Sequence, residues 1–334
     1  MSARSIVFVA AALAVAMVAC FCGTARAGDL VFRAFDPPKI YTGEVGVRFW
    51  YGRGQTGKSL YDTTGAFLVS RLSYDNMSIY SAEAFGRFEL DTGWFAKGLV
   101  GGGAFRGGSL KDEDFPPGIS PYSATLSTIN NSAPFYATVD FGYNVIRGGD
   151  FRVGVFVGYN NLYETTGATG CTQIATNPDI CGIFPVPGTF KVITQDNDWN
   201  SLRLGLNGVA DVTDRLKLEL DAAYLPLVSL RGTDTHWLRI SNQPGDFSGP
   251  IPEDGSGWGY QLEGVLSYRV TDSISVGIGG RYWHMQTSGF SHFEGHVNSF
   301  QAFPQPVNWH TDNYGLFLQT GLAFGPNPII SSGS

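Results

Sequence analysis

The run Leu216-Lys217-Leu218-Glu219-Leu220-Asp221-Ala222-Ala223-Tyr224 alternates apolar and charged residues almost to its end. In extended backbone successive side chains point to opposite faces, so Leu216, Leu218, Leu220, Ala222 and Tyr224 share one side and Lys217, Glu219 and Asp221 the other. A helix would scatter both sets around its circumference. The segment therefore reads as a strand with one apolar and one charged face.

The same pattern recurs in both directions. Val45, Val47, Phe49 and Tyr51 oppose Glu44, Arg48 and Trp50; Tyr80, Ala82, Ala84 and Phe88 oppose Ser81, Glu83, Arg87 and Glu89. Further runs lie at 94–105, 135–143, 151–159, 202–208, 260–268, 274–283 and 314–324, giving ten strands in all. Short turns near 91–93, 147–150, 212–214 and 271–273 alternate with long loops near 56–66, 107–132, 167–190, 232–256 and 291–311. Short turns at one end and long loops at the other predict an all-β fold, a ten-stranded antiparallel transmembrane β-barrel with long extracellular loops. The apolar face carries Tyr, Trp and Phe near its ends, as an aromatic girdle would. The other face carries Glu44, Arg48, Glu83, Arg87, Asp140, Arg152, Arg203, Lys217, Glu219, Asp221, Glu263 and Arg281. In a narrow lumen these charges must pair across the barrel. The long segment 67–90 exceeds the roughly 9–11 residues a spanning strand needs, so the barrel is expected to project beyond the membrane.

Composition agrees. Among 334 residues there are 44 Gly, 24 Phe, 15 Tyr and 7 Trp but only 15% charged residues, a turn-rich and aromatic set poor in helix formers. A net charge of −7 without a basic patch excludes a nucleic-acid partner. Arg4, the apolar stretch 6–22 and Ala25-Arg26-Ala27 read as an export signal over 1–27. Cys20 would also suit a lipid-modified cysteine, against which Met17 counts. Residues 28–41 read as a periplasmic lead-in, 42–325 as the outer-membrane barrel and 326–334 as a C-terminal tail. In an exported chain Cys171 and Cys181 most simply form a disulfide.

Two x-y-x pairs carry potential chemistry: Asp112 with Asp114, and Asp234 with His236. The outer members of each share a side of an extended chain. An imidazole oriented by one acid and faced by other carboxylates is what water activation requires. Solvated acidic loops are the plainer reading of the same residues. In the spacing of His292 and His296 around Glu294, a four-residue separation aligns only on a helix, which argues against a metal site in this loop. His284 and His310 read as girdle or rim residues.

The segment 54–62 (GQTGKSLYD), DEDF at 112–115, VGYN at 157–160 and GTDTHW at 232–237 together resemble the omptin family of Gram-negative outer-membrane proteases, over about 42–325. The resemblance implies a surface endopeptidase in which Asp112 and Asp114 form an aspartate pair, Asp234 the orienting acid and His236 the base. It also implies outer-membrane lipid and a peptide or protein substrate as partners, a monomer, and lipopolysaccharide dependence without another cofactor. Lys58 and Gly232 stand where acidic specificity residues are expected, so a dibasic preference is not supported. Near the lipopolysaccharide site only Tyr159 is kept, with Asn161 and Tyr163 in place of charged residues. The alternative is a non-catalytic barrel acting as adhesin or surface structural protein; a general porin is disfavoured by strand number. Parity sets one condition. Lys217, Glu219 and Asp221 are odd while Asp234 and His236 are even, so a bulge at Pro226 or Gly232 must shift the register.

Overall fold

The computed structural model describes residues 41–115, 121–176, 180–298 and 303–325. The expected signal, nearly all of the lead-in and the tail lie outside the described residues. The strands are β1 (Tyr41–Tyr61), β2 (Leu68–Leu90), β3 (Trp94–Arg106), β4 (Ser109–Asp114), β5 (Ser123–Arg147), β6 (Phe151–Gln173), β7 (Val186–Asp211), β8 (Leu216–His236), β9 (Ile251–Arg269), β10 (Ile274–Ser291) and β11 (Gln305–Phe324). All pair antiparallel, and β1 closes the ring on β11 from Gly43 opposite Phe324 to Leu60 opposite Val307. Both β3 and β4 lie between β2 and β5, so they form one stave of a ten-stave barrel.

The expected long loops are much shorter than the sequence suggests. Strands continue into each of 56–66, 107–132, 167–190, 232–256 and 291–311, leaving connections of 62–67, 115–122, 174–185, 237–250 and 292–304. Above the bilayer both faces of a strand meet polar surroundings or the packed mouth, so the alternation fades while the hydrogen-bonded ladder persists.

The outer face fixes the membrane level. Tyr51, Tyr80, Tyr159, Tyr224, Tyr260, Tyr282 and Tyr314 are all outward or part-exposed. They neighbour one another across the ladder, as in Tyr51 opposite Tyr80, Tyr224 opposite Tyr260 and Tyr282 opposite Tyr314. At the other end Tyr41 stacks on Phe88, and Trp94 packs on Phe141 and Tyr143. Between the two belts lie exposed Phe49, Val139, Leu206, Ile278, Leu316 and Leu318. From 314 to 324 the chain has the roughly 11 residues a tilted spanning strand needs.

Inside this band the lumen is filled by the expected ion pairs. Arg281 lies between Glu83 and Glu263, the latter at 2.7 Å; Arg48 reaches Glu263 at 2.7 Å; Arg203 meets Asp140, Arg87 meets Glu219 and Lys217 meets Glu44, each at 2.8 Å. Arg152 pairs with Glu89, and Lys97 with Asp221. Above the charges the lumen becomes a hydrophobic core, with Trp50 and Trp283 at 5.5 Å and Tyr136 edge-on to both.

The parity condition is met at Pro226. Residues 225 and 226 face the single residue Arg203, and 226 and 227 face Trp258, a bulge at a residue that has no N–H to donate. Below it Ala223 and Leu225 point inward; above it Val228, Leu230 and Asp234 do. A second inversion separates β3 from β4. Phe95 and Phe105 are inward on β3, Leu110 on β4, and between them Gly107 and Gly108 take φ of 65° and 98°, which favour glycine.

Removing one member of the buried lumen network should leave uncompensated charge. Among the described cations Arg281→Met leaves Glu83 with only Arg48, at 4.0 Å, and Glu263 with Arg48 alone, and is expected to cost about 3–5 kcal/mol in urea unfolding from lipid vesicles. Arg281→Met with Glu83→Gln should recover part of that loss.

Candidate functional site

Because the ring inverts its parity at Pro226, the end of β8 turns Asp234 and His236 toward the mouth. Asp234 is 2% exposed. The strand ends at His236, and the following turn is anchored by Trp237 Nε1, which donates to Thr194 Oγ1 at 2.8 Å. His236 Nε2 lies 3.0 Å from Asp234 Oδ2, and its ring meets Phe247 edge-on at 5.4 Å.

The same oxygen has a second partner. Lys58 Nζ, from β1, donates to Asp234 Oδ2 at 2.6 Å, while Oδ1 has no hydrogen-bond partner among the described residues. Lys58 also contacts Glu253 of β9 and sits over the Trp309 ring at 5.5 Å. Glu253 accepts from Gln195 Nε2 at 3.1 Å and from Ser291 Oγ at 3.0 Å. Burial would lower the Lys58 pKa, but Asp234 and Glu253 outweigh it and hold the ammonium charged well above its ordinary range.

Asp112 and Asp114 approach from β4, four staves round the ring from β8. Burial raises the Asp112 carboxyl to about 7; the charges of Asp114 and Asp234 push the same way, and His236 and Lys58 oppose them. Asp114 is raised by burial and eased by His236, Arg239 and a hydrogen bond from Ser70. For Asp234 burial acts upward, yet His236 and Lys58 hold it well below the usual carboxylate range. For His236 burial acts downward, but Asp234 and then Asp112 outweigh it, so the imidazole titrates above its ordinary value. Asp112, Asp114 and Asp234 thus all lie within electrostatic reach of His236. Residues 51–58 of β1 span about 23 Å, so the cluster stands well above the tyrosine belt.

Sequence reasoning missed Glu253 and Tyr74. Tyr74 of β2 is fully buried, and burial followed by the charges of Asp234, Asp112 and Glu253 raises its pKa. Glu253 belonged to a segment read as loop; only the need to balance a buried Lys58 could have pointed to it. Lys58 itself is 2% exposed and held by two carboxylates, so its charge is turned to the protein. At Gly232 a Cβ would meet Asn197 Oδ1 at 2.9 Å.

The remaining candidates lie elsewhere. His292 Nδ1 is 2.7 Å from Glu294 and its Nε2 3.3 Å from Asp254. Among the described residues no group of His, Cys, Asp and Glu is arranged to hold a metal ion. His284 packs against Tyr260 at the belt and lies 2.8 Å from Asp312. Beside Tyr159, Asn161 donates to Asp198 at 2.6 Å, and Asp196 lies near Tyr163, so that face carries carboxylates. Cys171 and Cys181 form the expected disulfide.

A closed ring of strands with an apolar outer band and a paired polar lumen defines an outer-membrane β-barrel. No protein-family model and no curated protein matches the chain. Solved structures do. The outer membrane protease OmpT from Escherichia coli aligns over 88% of this chain and 99% of its own, with TM-score 0.63 and 17% identity. The outer membrane protein OprG from Pseudomonas aeruginosa aligns over 86% and 98%, with TM-score 0.37 and 10% identity. Ail, the attachment invasion locus protein of Yersinia pestis, aligns over 84% and 99%, with TM-score 0.27 and 9% identity. At 17% identity the first likeness shows the fold. The chain is an integral barrel of the Gram-negative outer membrane.

Carboxyl titration tests the site without any assay of function. By infrared or carbon-13 spectroscopy Asp112 is expected to titrate near pH 7. Asp114→Asn, which removes a like charge, should move it down; His236→Ala, which removes an opposing one, should move it up.

Proposed function

We propose that this protein is an omptin-like endopeptidase acting as a monomer on peptides or proteins at the cell surface, through a water activated by His236. The observation that carries the reading is the bond of His236 to Asp234 on one side of the barrel mouth, with Asp112 on the other side near enough for its charge to act on the imidazole. An ionised Asp234 can only accept, so it fixes the proton on Nε2 and leaves the lone pair on Nδ1. A water held between Nδ1 and the Asp112 and Asp114 carboxylates gives its proton to Nδ1 as its oxygen attacks the scissile carbonyl carbon. The imidazolium, stabilised by Asp234, then returns that proton to the leaving amine nitrogen as the C–N bond breaks.

The environments divide the labour. Asp234 stays ionised beside the Lys58 ammonium and the His236 imidazole, whereas Asp112, raised by desolvation and by neighbouring carboxylates, exchanges its proton near neutrality. The bound acids Asp234 and Glu253 are committed to Lys58, so nothing in this cluster favours a basic side chain beside the cleaved bond.

Peptide-library cleavage in detergent or lipid should fall by about 10²-fold or more in His236→Ala, the span expected of a lost general base. Equal cleavage by both proteins would sink the mechanism and leave a non-catalytic surface barrel. Because the base must be neutral and its pKa lies above 6.5, kcat/KM is expected to be low at acid pH and to rise through neutrality.

A further inference from the structure

Lys58 and His236 use one oxygen of the same carboxylate, Asp234 Oδ2, at 2.6 and 3.0 Å. Two donors on one oxygen compete for its negative charge. We propose that Lys58 is a positioning residue that tunes His236: by occupying Asp234 Oδ2 from across the lumen it weakens the hold of that acid on the imidazolium and keeps the base available near neutral pH.

The charged groups around His236 leave this role to Lys58. On its own strand the ring faces Asp234; from β4 it feels Asp112, and Asp114 in turn feels its charge. Those carboxylates all favour the protonated ring. β7 places Ile193 beside it, and Lys191 of the same strand is turned to the Trp237 ring at 5.3 Å. Arg239, in the turn after β8, lies over Phe247 at 4.4 Å and acts on Asp114. Glu253 touches Lys58. Among the described residues Lys58 is therefore the cation that reaches the Asp234–His236 pair directly, and its burial leaves it little solvent screening. Its second carboxylate, Glu253, holds the ammonium in place even as the charge on Asp234 is shared.

The consequence for the rate rests on the peptidase reading above, but the titration of His236 does not. The test is therefore an NMR titration of histidine-labelled protein in detergent micelles, with the His236 signal assigned by its loss in His236→Ala. In Lys58→Met the His236 pKa should rise by roughly 1 unit or more, the usual effect of removing a like charge at short range. Retained fold is read from the gel mobility of the unheated barrel. If Lys58→Met loses that mobility, Lys58→Met with Glu253→Gln, which removes one charge of each sign, decides instead, again by an upward shift. A His236 pKa unmoved or lowered in the deciding variant overturns the proposal, because a lysine that served only as a strut would leave the titration where it was. The acid limb of kcat/KM should move to higher pH with the NMR value. A shifted pKa in a protein that cleaves nothing would remove the peptidase reading and leave the tuning intact.

Discussion

Closure of the ring is the constraint on which the other features depend. In a bilayer no solvent satisfies a free strand edge, so β1 must return to β11 along its whole length. Once the ring is shut, each strand sends alternate side chains into a lumen too narrow to hold bulk water. The inward charges must then meet one another across the barrel, as Arg48 meets Glu263 and Arg281 meets Glu83. With the tryptophan and tyrosine cluster stacked above them, these pairs make the lumen a solid support. The mouth stands on that support rather than on loops, because the staves continue as ladder far above the tyrosine belt.

At the mouth, charge has to be distributed among groups that cannot all ionise. Two unit charges about 4 Å apart interact by about 4 kcal/mol at an effective dielectric near 20, enough to separate carboxyl groups by several pKa units. Asp234 lies beside an ammonium and an imidazole; Asp112 is partly desolvated and feels Asp114 and Asp234. The two acids are the same residue type and are shifted in opposite directions. Desolvation raises Asp112, while His236 on the same strand and Lys58 on β1, distant from β8 along the chain, hold Asp234 down.

That distance explains what could be read beforehand. Leu216 to Tyr224 shows its fold plainly because lipid on one side and paired charge on the other enforce strict alternation. The same reasoning located the membrane-spanning parts of the remaining staves and the need for paired lumen charges. It failed above the belt, where the selection for alternating polarity ends although the hydrogen bonding continues. The local pairs Asp112 with Asp114 and Asp234 with His236 were legible because extended backbone alone sets their shared side. Lys58 and Glu253 were not legible as partners, since their meeting depends on ring order and stagger. Lys58 was visible only as a charge of unexpected sign.

Inversions of parity on the strands that carry the acidic pairs tie the barrel to its mouth. On β8 the inward set below the belt includes Lys217, Glu219 and Asp221, which the lumen network requires; above, it must include Asp234 and His236. One uninterrupted strand cannot serve both, because its side chains repeat every second residue. Pro226 resolves the conflict by giving up a ladder position, and Gly107-Gly108 does the same for β3 and β4. β1 needs no such break, since Arg48 and Lys58 are both even and both inward, one in the lumen network and one in the mouth. A straight β1 can therefore carry a cation from the lumen face to Asp234, whereas both acidic pairs reach the mouth only because their strands change face on the way.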